Sequence, residues 1–202
     1  MGNYISASEV KQYSNISYQD LGFASETEYE TFLDDLINQV EAFIDDYCRV
    51  PRGFYRAGGL SFTEIHDWNE DGIIQARYYP ILELVRVELD LAGINQPANW
   101  TEISSTYYYA KNEYGIIKIV GKSPGHVENS VRITYTAGYS AVPEDIKTAA
   151  LTLAKNMLLS MMTSDEIRIG DLTIEPQTPQ EVFTAEVKTL LAQYKRRLAS
   201  TQ

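Results

Sequence analysis

The sequence has little of what builds redox, metal or membrane chemistry. One cysteine, Cys48, excludes an intramolecular disulfide and a zinc site of paired thiols. No apolar run approaches the ~18 residues that a membrane span requires. Met1–Ser6 shows no basic stretch leading into an apolar one, so no secretory signal is read and a soluble, intracellularly made protein is expected. The Asn-x-Ser/Thr sites at Asn15 and Asn99 then read as chance. There is no phosphate-binding loop and no dinucleotide fingerprint. Basic residues are scarce, 17 Lys+Arg against 28 Asp+Glu, for a net charge of −11. That balance argues against a protein that holds nucleic acid by neutralising phosphates.

What is present is globular: 202 residues, 44% hydrophobic and 22% charged, long enough to bury a core without staples. Ser25-Glu26-Thr27-Glu28 is a capping box. Behind it Tyr29, Phe32, Leu33, Leu36, Ile37, Val40, Phe43, Ile44 and Tyr47 recur every three or four residues, which predicts a helix over 26–48. Its other face carries Glu26, Glu28, Glu30, Asp34, Asp35, Glu41, Asp45 and Asp46, with no base between 26 and 46. A shorter helix is expected around Ser8–Tyr13, capped by Ser6 or Ser8.

From 60 to 137 the pattern becomes that of strands. Ser61–His66 and Ile73–Tyr78 flank the turn-rich Asp67-Trp68-Asn69-Glu70-Asp71-Gly72 and read as a hairpin. Leu82–Leu89, Tyr107–Tyr109, Ile116–Val120 and Val131–Ala137 are further strands, rich in β-branched residues and tyrosine. Pro143 with Glu144 and Asp145 opens another helix, with Ile146, Ala149, Ala150, Leu153, Ala154, Met157, Leu158, Met161 and Met162 on its apolar stripe. Ile167–Ile174 alternates around Gly170-Asp171 as a small hairpin. Thr178-Pro179-Gln180-Glu181 reads as the capping box of a last helix carrying Phe183, Val187, Leu190, Leu191, Tyr194 and Leu198, with a basic end at Lys195-Arg196-Arg197. The expected class is α+β: an α-helical bundle with an inserted β-sheet or hairpin subdomain and a C-terminal helical arm. The expected division is 1–163 (β insertion about 60–137) and 164–202.

Candidate chemistry is thin. Asp67, Asn69 and Asp71, with Gly72 at the sixth position and Ile74 at the eighth, follow the start of a calcium loop. Position twelve is Tyr78 where a bidentate Glu is needed, and no helices flank the loop, so a tight strand connection is the favoured reading. Glu64, His66, Asp67 and Asp71 could serve a small metal-assisted hydrolase, but a site needs residues converging from several elements. His126 is too isolated to name a partner. Asp34-Asp35 and Asp45-Asp46 belong to the solvent side of the helix, and Cys48 reads as a buried structural thiol. No catalytic residue, cofactor or metal is expected.

A resemblance adds to this reading. Val131-Arg132-Ile133-Thr134-Tyr135-Thr136-Ala137-Gly138-Tyr139, then Val142-Pro143-Glu144-Asp145-Ile146-Lys147 and Ala150, resembles the hallmark of tailed-phage head–tail connector (adaptor) proteins, a strand ending in Tyr-x-Ala-Gly-Tyr that runs into a Pro-Glu/Asp-Ile/Leu helix start. Tyr47-Cys48-Arg49, Asp71-Gly72, Tyr79-Pro80-Ile81 and Val85-Arg86-Val87 fall in the family's order, as do Glu166–Asp171, Leu190-Leu191 and Tyr194–Arg197. The resemblance implies a virion protein without catalysis, made in the host cytoplasm and sited in the neck. It implies a homo-oligomeric ring, usually dodecameric, beneath the portal protein. A stopper or tail-completion protein sits on the opposite face, and DNA passes through without sequence-specific binding. On this reading Phe183, Val187, Leu190, Leu191, Tyr194, Lys195, Arg196 and Arg197 are portal contacts; a core helix packed on its own bundle is the alternative that the apolar stripe equally allows. The acidity of the long helix makes Glu30, Asp34, Asp35, Glu41 and Asp45 candidates to face the channel, with a plain solvated outer face as the equal alternative. Another neck role, stopper or tail completion, is the alternative within the same class.

Overall fold

The computed structural model describes residues 4–94, 96–163 and 178–196. The hairpin expected at Ile167–Ile174, and Arg197 and Leu198, lie outside them. The fold is α+β, in two compact units: residues 1–55 with 142–202, and residues 56–141.

The first unit is helical: α1 (Ala7–Ser14), α2 (Glu26–Cys48), α3 (Glu144–Thr163) and α4 (Ala185–Ala192). Ser6 and Glu9 close a reciprocal capping box on α1. On α2 the box is only half formed: Ser25 accepts from the Glu28 N–H at 3.2 Å, while the Glu28 carboxylate takes the Ala24 N–H at 3.1 Å. α2 ends at Arg49, in the left-handed region at φ 60, and the Val50 N–H returns to the Asp45 carbonyl at 3.0 Å. The stripes predicted for α2 and α3 form the core. Tyr29, Leu33, Ile37, Val40 and Ile44 are wholly buried, as are Ile146, Leu153, Met157 and Leu158. Each such aliphatic side chain contributes about 1.5–3 kcal/mol. α3 packs against α1, α2 and α4. The last helix is shorter than expected and starts later. Thr178 and Glu181 do bond to each other, but they close a turn, and the helix opens at the Thr184 cap.

The second unit holds two antiparallel sheets. Strands β1 (Leu60–His66), β2 (Ile73–Gln75), β3 (Ile81–Asp90), β4 (Trp100–Glu102), β5 (Tyr108–Lys111), β6 (Ile116–Ile119) and β7 (Val131–Ala137) order as β1-β7-β3-β4 and β2-β6-β5. The expected hairpin between β1 and β2 is therefore absent: β1 pairs with β7 and β2 with β6, in different sheets. The connecting loop is set by bonds to other parts of the unit, with the Trp68 N–H on the Val127 carbonyl (2.7 Å) and the Asn129 N–H on Asp67 Oδ1 (2.7 Å). Short β4 escaped prediction because its three residues lack an apolar pattern. β3 carries two register shifts, which put Leu82 and Val85 outside the ladder.

Each sheet buries one face. A groove of about 740 Å³ is lined by Leu89 and Thr101 from the larger sheet, by Ile103 just beyond β4, and by Ile119 from the smaller sheet. The outer face of the larger sheet carries the rows Ser61–Thr136–Glu83, Thr63–Thr134–Arg86 and Ile65–Arg132–Glu88–Glu102. The smaller sheet's outer face carries Ile73–Lys118–Tyr109 and Gln75–Ile116–Lys111.

Candidate functional site

The long helix does not present eight free carboxylates. Two of them, Glu41 and Asp45, are 5% and 1% exposed. This corrects their reading as channel-facing groups and as part of a solvent face. They stand one turn apart and clip the segment that leads into α1. Glu41 Oε1 accepts the Tyr4 N–H at 2.7 Å and the Ile5 N–H at 3.3 Å. Asp45 Oδ1 accepts the Tyr4 hydroxyl at 2.5 Å, and its Oδ2 accepts the Gly53 N–H at 2.9 Å. The Tyr4 oxygen in turn accepts the Tyr55 N–H at 3.2 Å. Burial pushes the Asp45 carboxyl up to about 6, against the pull of the Tyr4 and Gly53 bonds, and burial beside Asp45 also raises the Tyr4 hydroxyl.

The other six acids of α2 are exposed. Lys11 bonds to both Glu26 and Glu30, the latter at 2.8 Å, and Arg52 reaches Asp46 at 3.0 Å. Asp34 and Asp35, at the middle of the helix, have no basic partner among the described residues.

The C-terminal stretch is tied to its own bundle. Val187 and Leu191 are wholly buried, which removes them from a surface offered to a partner. Phe183 packs edge-on against Phe43 and Tyr47, with centroids 4.9 and 4.8 Å away. Tyr194 meets Tyr55 at 5.6 Å and gives its carbonyl to the Tyr55 hydroxyl at 3.3 Å. The basic tip closes the end of α2, which has no base in its last turn. The Arg196 N–H donates to the Cys48 carbonyl at 3.1 Å, and Lys195 Nζ lies 4.3 Å from the Tyr47 ring centroid. Of the predicted portal contacts, Lys195 is exposed, Phe183, Leu190, Tyr194 and Arg196 are half-buried, and Arg197 lies outside the described residues. Cys48 is wholly buried beneath this lid, and burial pushes its thiol up to about 11, the behaviour of a structural residue.

The other candidate chemistry does not assemble into a ligand set. Glu64 Oε1 accepts the Tyr135 hydroxyl at 2.6 Å, and its Oε2 accepts the Arg77 N–H at 3.0 Å and lies 3.0 Å from His66 Nε2. Burial raises this carboxyl, but the three bonds outweigh it and hold it below the usual carboxylate range. It is a charged structural node inside a sheet. Asp67 is occupied by Asn129, the Asn69 side chain bonds both the N–H and the carbonyl of Ile73, and Lys118 bonds the Asp71 backbone carbonyl. Among the described residues no three His, Cys, Asp or Glu side chains are grouped to hold a metal ion, and no helix is long and apolar enough to cross a membrane.

Compared with known protein families, residues 3–197 match the family described as head completion protein. The chain belongs to that family. Its function is that of a structural head–tail virion protein, as the Val131–Tyr139 and Val142–Lys147 resemblance implies. No curated protein matches the chain. Among solved structures, the chain is similar to one described as the neck of an empty GTA particle computed with C6 symmetry. The identity is 16% and the TM-score 0.55, over 98% of this chain and 92% of that one. That likeness is one of fold. A chain of the neck of a native GTA particle computed with C12 symmetry is also 16% identical, TM-score 0.47, covering 99% and 98%. A third, from the virion of a native gene transfer agent (GTA) particle, is 16% identical with a TM-score of 0.49, covering 95% and 91%.

Two features of the head completion chain escaped the sequence reading. One is the inward turn of Glu41 and Asp45, which continue the i, i+4 series from Ile37. The other is the Tyr4–Tyr55–Tyr194 chain, whose members are too distant in sequence to suggest each other.

Proposed function

We propose that this protein is the adaptor of the neck: copies close into a ring beneath the portal protein, receive a stopper or tail-completion protein on the opposite face, and let DNA pass through the centre. The family match over residues 3–197 carries this reading. The fold shared end to end with a chain from a GTA particle neck supports it. The channel assignment rests on charge. Glu30, Asp34 and Asp35 are exposed, Asp34 and Asp35 lack basic partners among the described residues, and carboxylates facing the lumen repel phosphates over a screening length of ~8–10 Å. Glu41 and Asp45 have no part in it. The portal assignment narrows to Leu190, Lys195, Arg196 and Arg197, with Phe183 and Tyr194 as supports, since Val187 and Leu191 hold α4 to the bundle.

The test is complementation. Particles assembled without the chain are expected to stop as heads lacking tails, and the purified protein added back restores joining, with a ring visible beneath the portal. Tailed, DNA-retaining particles made in its absence would overturn the proposal.

A further inference from the structure

Resting on the ring reading above, we infer that adjacent copies stack their β units face to face, the outer face of the smaller sheet of one copy against the outer face of the larger sheet of the next. A closed ring needs a heterologous contact, made by two different patches that complement each other and lie on different sides of the subunit. The β unit supplies such a pair. Its two sheets each send a buried-face residue, Leu89 and Ile119, into one groove, and each keeps its other face exposed.

The two outer faces carry opposite unsatisfied charge. The smaller sheet shows two lysines and no carboxylate. Lys111 is exposed without a partner among the described residues, and Lys118 finds only the Asp71 carbonyl. On the larger sheet Arg132 and Arg86 are taken up by Glu88, which leaves Glu83 and, at the rim of the groove, Glu102 exposed and without basic partners among the described residues. Apolar groups accompany the charges on both sides: Ile73 and Tyr109, 43% and 56% exposed, on the basic face, and Ile65, 51% exposed, on the other. Ser61, Thr63, Thr134 and Thr136 keep part of the larger sheet's outer face lined by small side chains, which suits sheet-on-sheet packing at ~10 Å. The occupant of each face is thus a second copy of this chain.

The test uses charge reversal in the full chain. The pair Lys111→Glu with Lys118→Glu makes both faces acidic, and the pair Glu83→Lys with Glu102→Lys makes both basic. Each pair alone is expected to raise the concentration for half-assembly at least about tenfold, read by native mass measurement, since like charges then face each other. Mixing the two variants one to one restores assembly, because an alternating ring again sets every acidic face against a basic one, and the restored rings hold an even number of copies. Unchanged melting curves establish that each variant is folded; if Lys118→Glu melts early, Lys111→Glu alone replaces that pair. Wild-type rings that tolerate either reversal, or variants that stay apart when mixed, overturn the stacking and leave the ring reading intact. A wild-type chain that forms no ring in solution or on particles overturns the ring reading, and the stacking with it.

Discussion

Asp45 makes the stability of the helical unit fall as pH rises, the reverse of the usual carboxylate. Its pKa is about 6 in the folded chain against 3.8 ordinarily, with burial as the leading cause. A group raised on folding lends its full stabilisation below its unfolded value and loses it as pH climbs through the folded one. The window is therefore pH ~4 to ~6, and a shift of this size amounts to about 3 kcal/mol, an order-of-magnitude figure. The perturbation is Asp45→Asn. The amide keeps the shape and never ionises. Its Oδ1 can accept the Gly53 N–H or the Tyr4 hydroxyl but not both, a fixed cost of about 1 kcal/mol that does not vary with pH. Urea denaturation of both proteins at intervals from pH 4 to 8 gives the difference in unfolding free energy, in which the titrations of distant groups cancel. The expected result is a difference that moves in the variant's favour by about 3 kcal/mol across the window. A flat difference, or one moving against the variant as pH rises, refutes the assignment of Asp45 as a buried carboxyl ionised at a cost.

Tyr4→Phe removes the donor to Asp45 and the acceptor for the Tyr55 N–H; a loss of about 1–3 kcal/mol is expected in the same assay. Gly59→Ala puts a methyl 2.4 Å from the Ala137 carbonyl oxygen at φ +65, at a cost of about 2 kcal/mol or more, seen as a fall in melting temperature of at least ~4 °C. Arg132→Lys gives up the two-pronged hold on Glu88 and the stacking 4.6 Å over Trp100. The Arg132 bond is the leading cause that keeps the Glu88 carboxyl low, so this stabilisation is present above the ordinary carboxylate range and lost as pH falls. A loss of about 1–2 kcal/mol at pH 7 should shrink at pH 4 in paired melting curves. Lys195→Glu should weaken binding to portal-bearing heads several-fold in a pull-down while leaving Val187 and Leu191 in place; full binding would remove Lys195 from the portal contact.

The helices could be read from the sequence because their signals are local. Ser25 ahead of the period-3.6 stripe marks α2 at the residues where it occurs, and Pro143 announces α3. The strands of β1 and β7 were readable for the same reason, with the alternation of Val131–Ala137 matching its buried positions. Pairing was not. Asp67–Gly72 has the composition of a hairpin turn, yet whether two strands join across a loop depends on which other strands compete for their edges, and β7 and β6 win here. The acidic face failed in the same way. Carboxylates at 41 and 45 sit on the border of the apolar stripe, and only the arrival of Tyr4 and Gly53 from outside the helix decides that they point inward. The basic tip was expected to finish the last helix, but that helix ends at Ala192 with no base in its last turn, and the Arg196 N–H caps α2 instead.

The neighbouring positions of β1 and β7 have a consequence for the order of folding. The chain enters and leaves the β unit side by side, at the Leu60–Ala137 pair and the Gly58 N–H to Tyr139 carbonyl bond of 3.0 Å. While residues 56–141 are uncollapsed, bringing α3 to α1 and α2 means closing a very long loop. Once the β unit has formed, the same closure spans a handful of residues, which lowers its entropic cost by roughly 2–3 kcal/mol. The insertion thus works as an internal splint: with its strands paired, the helical unit closes at the entropic cost of a short loop.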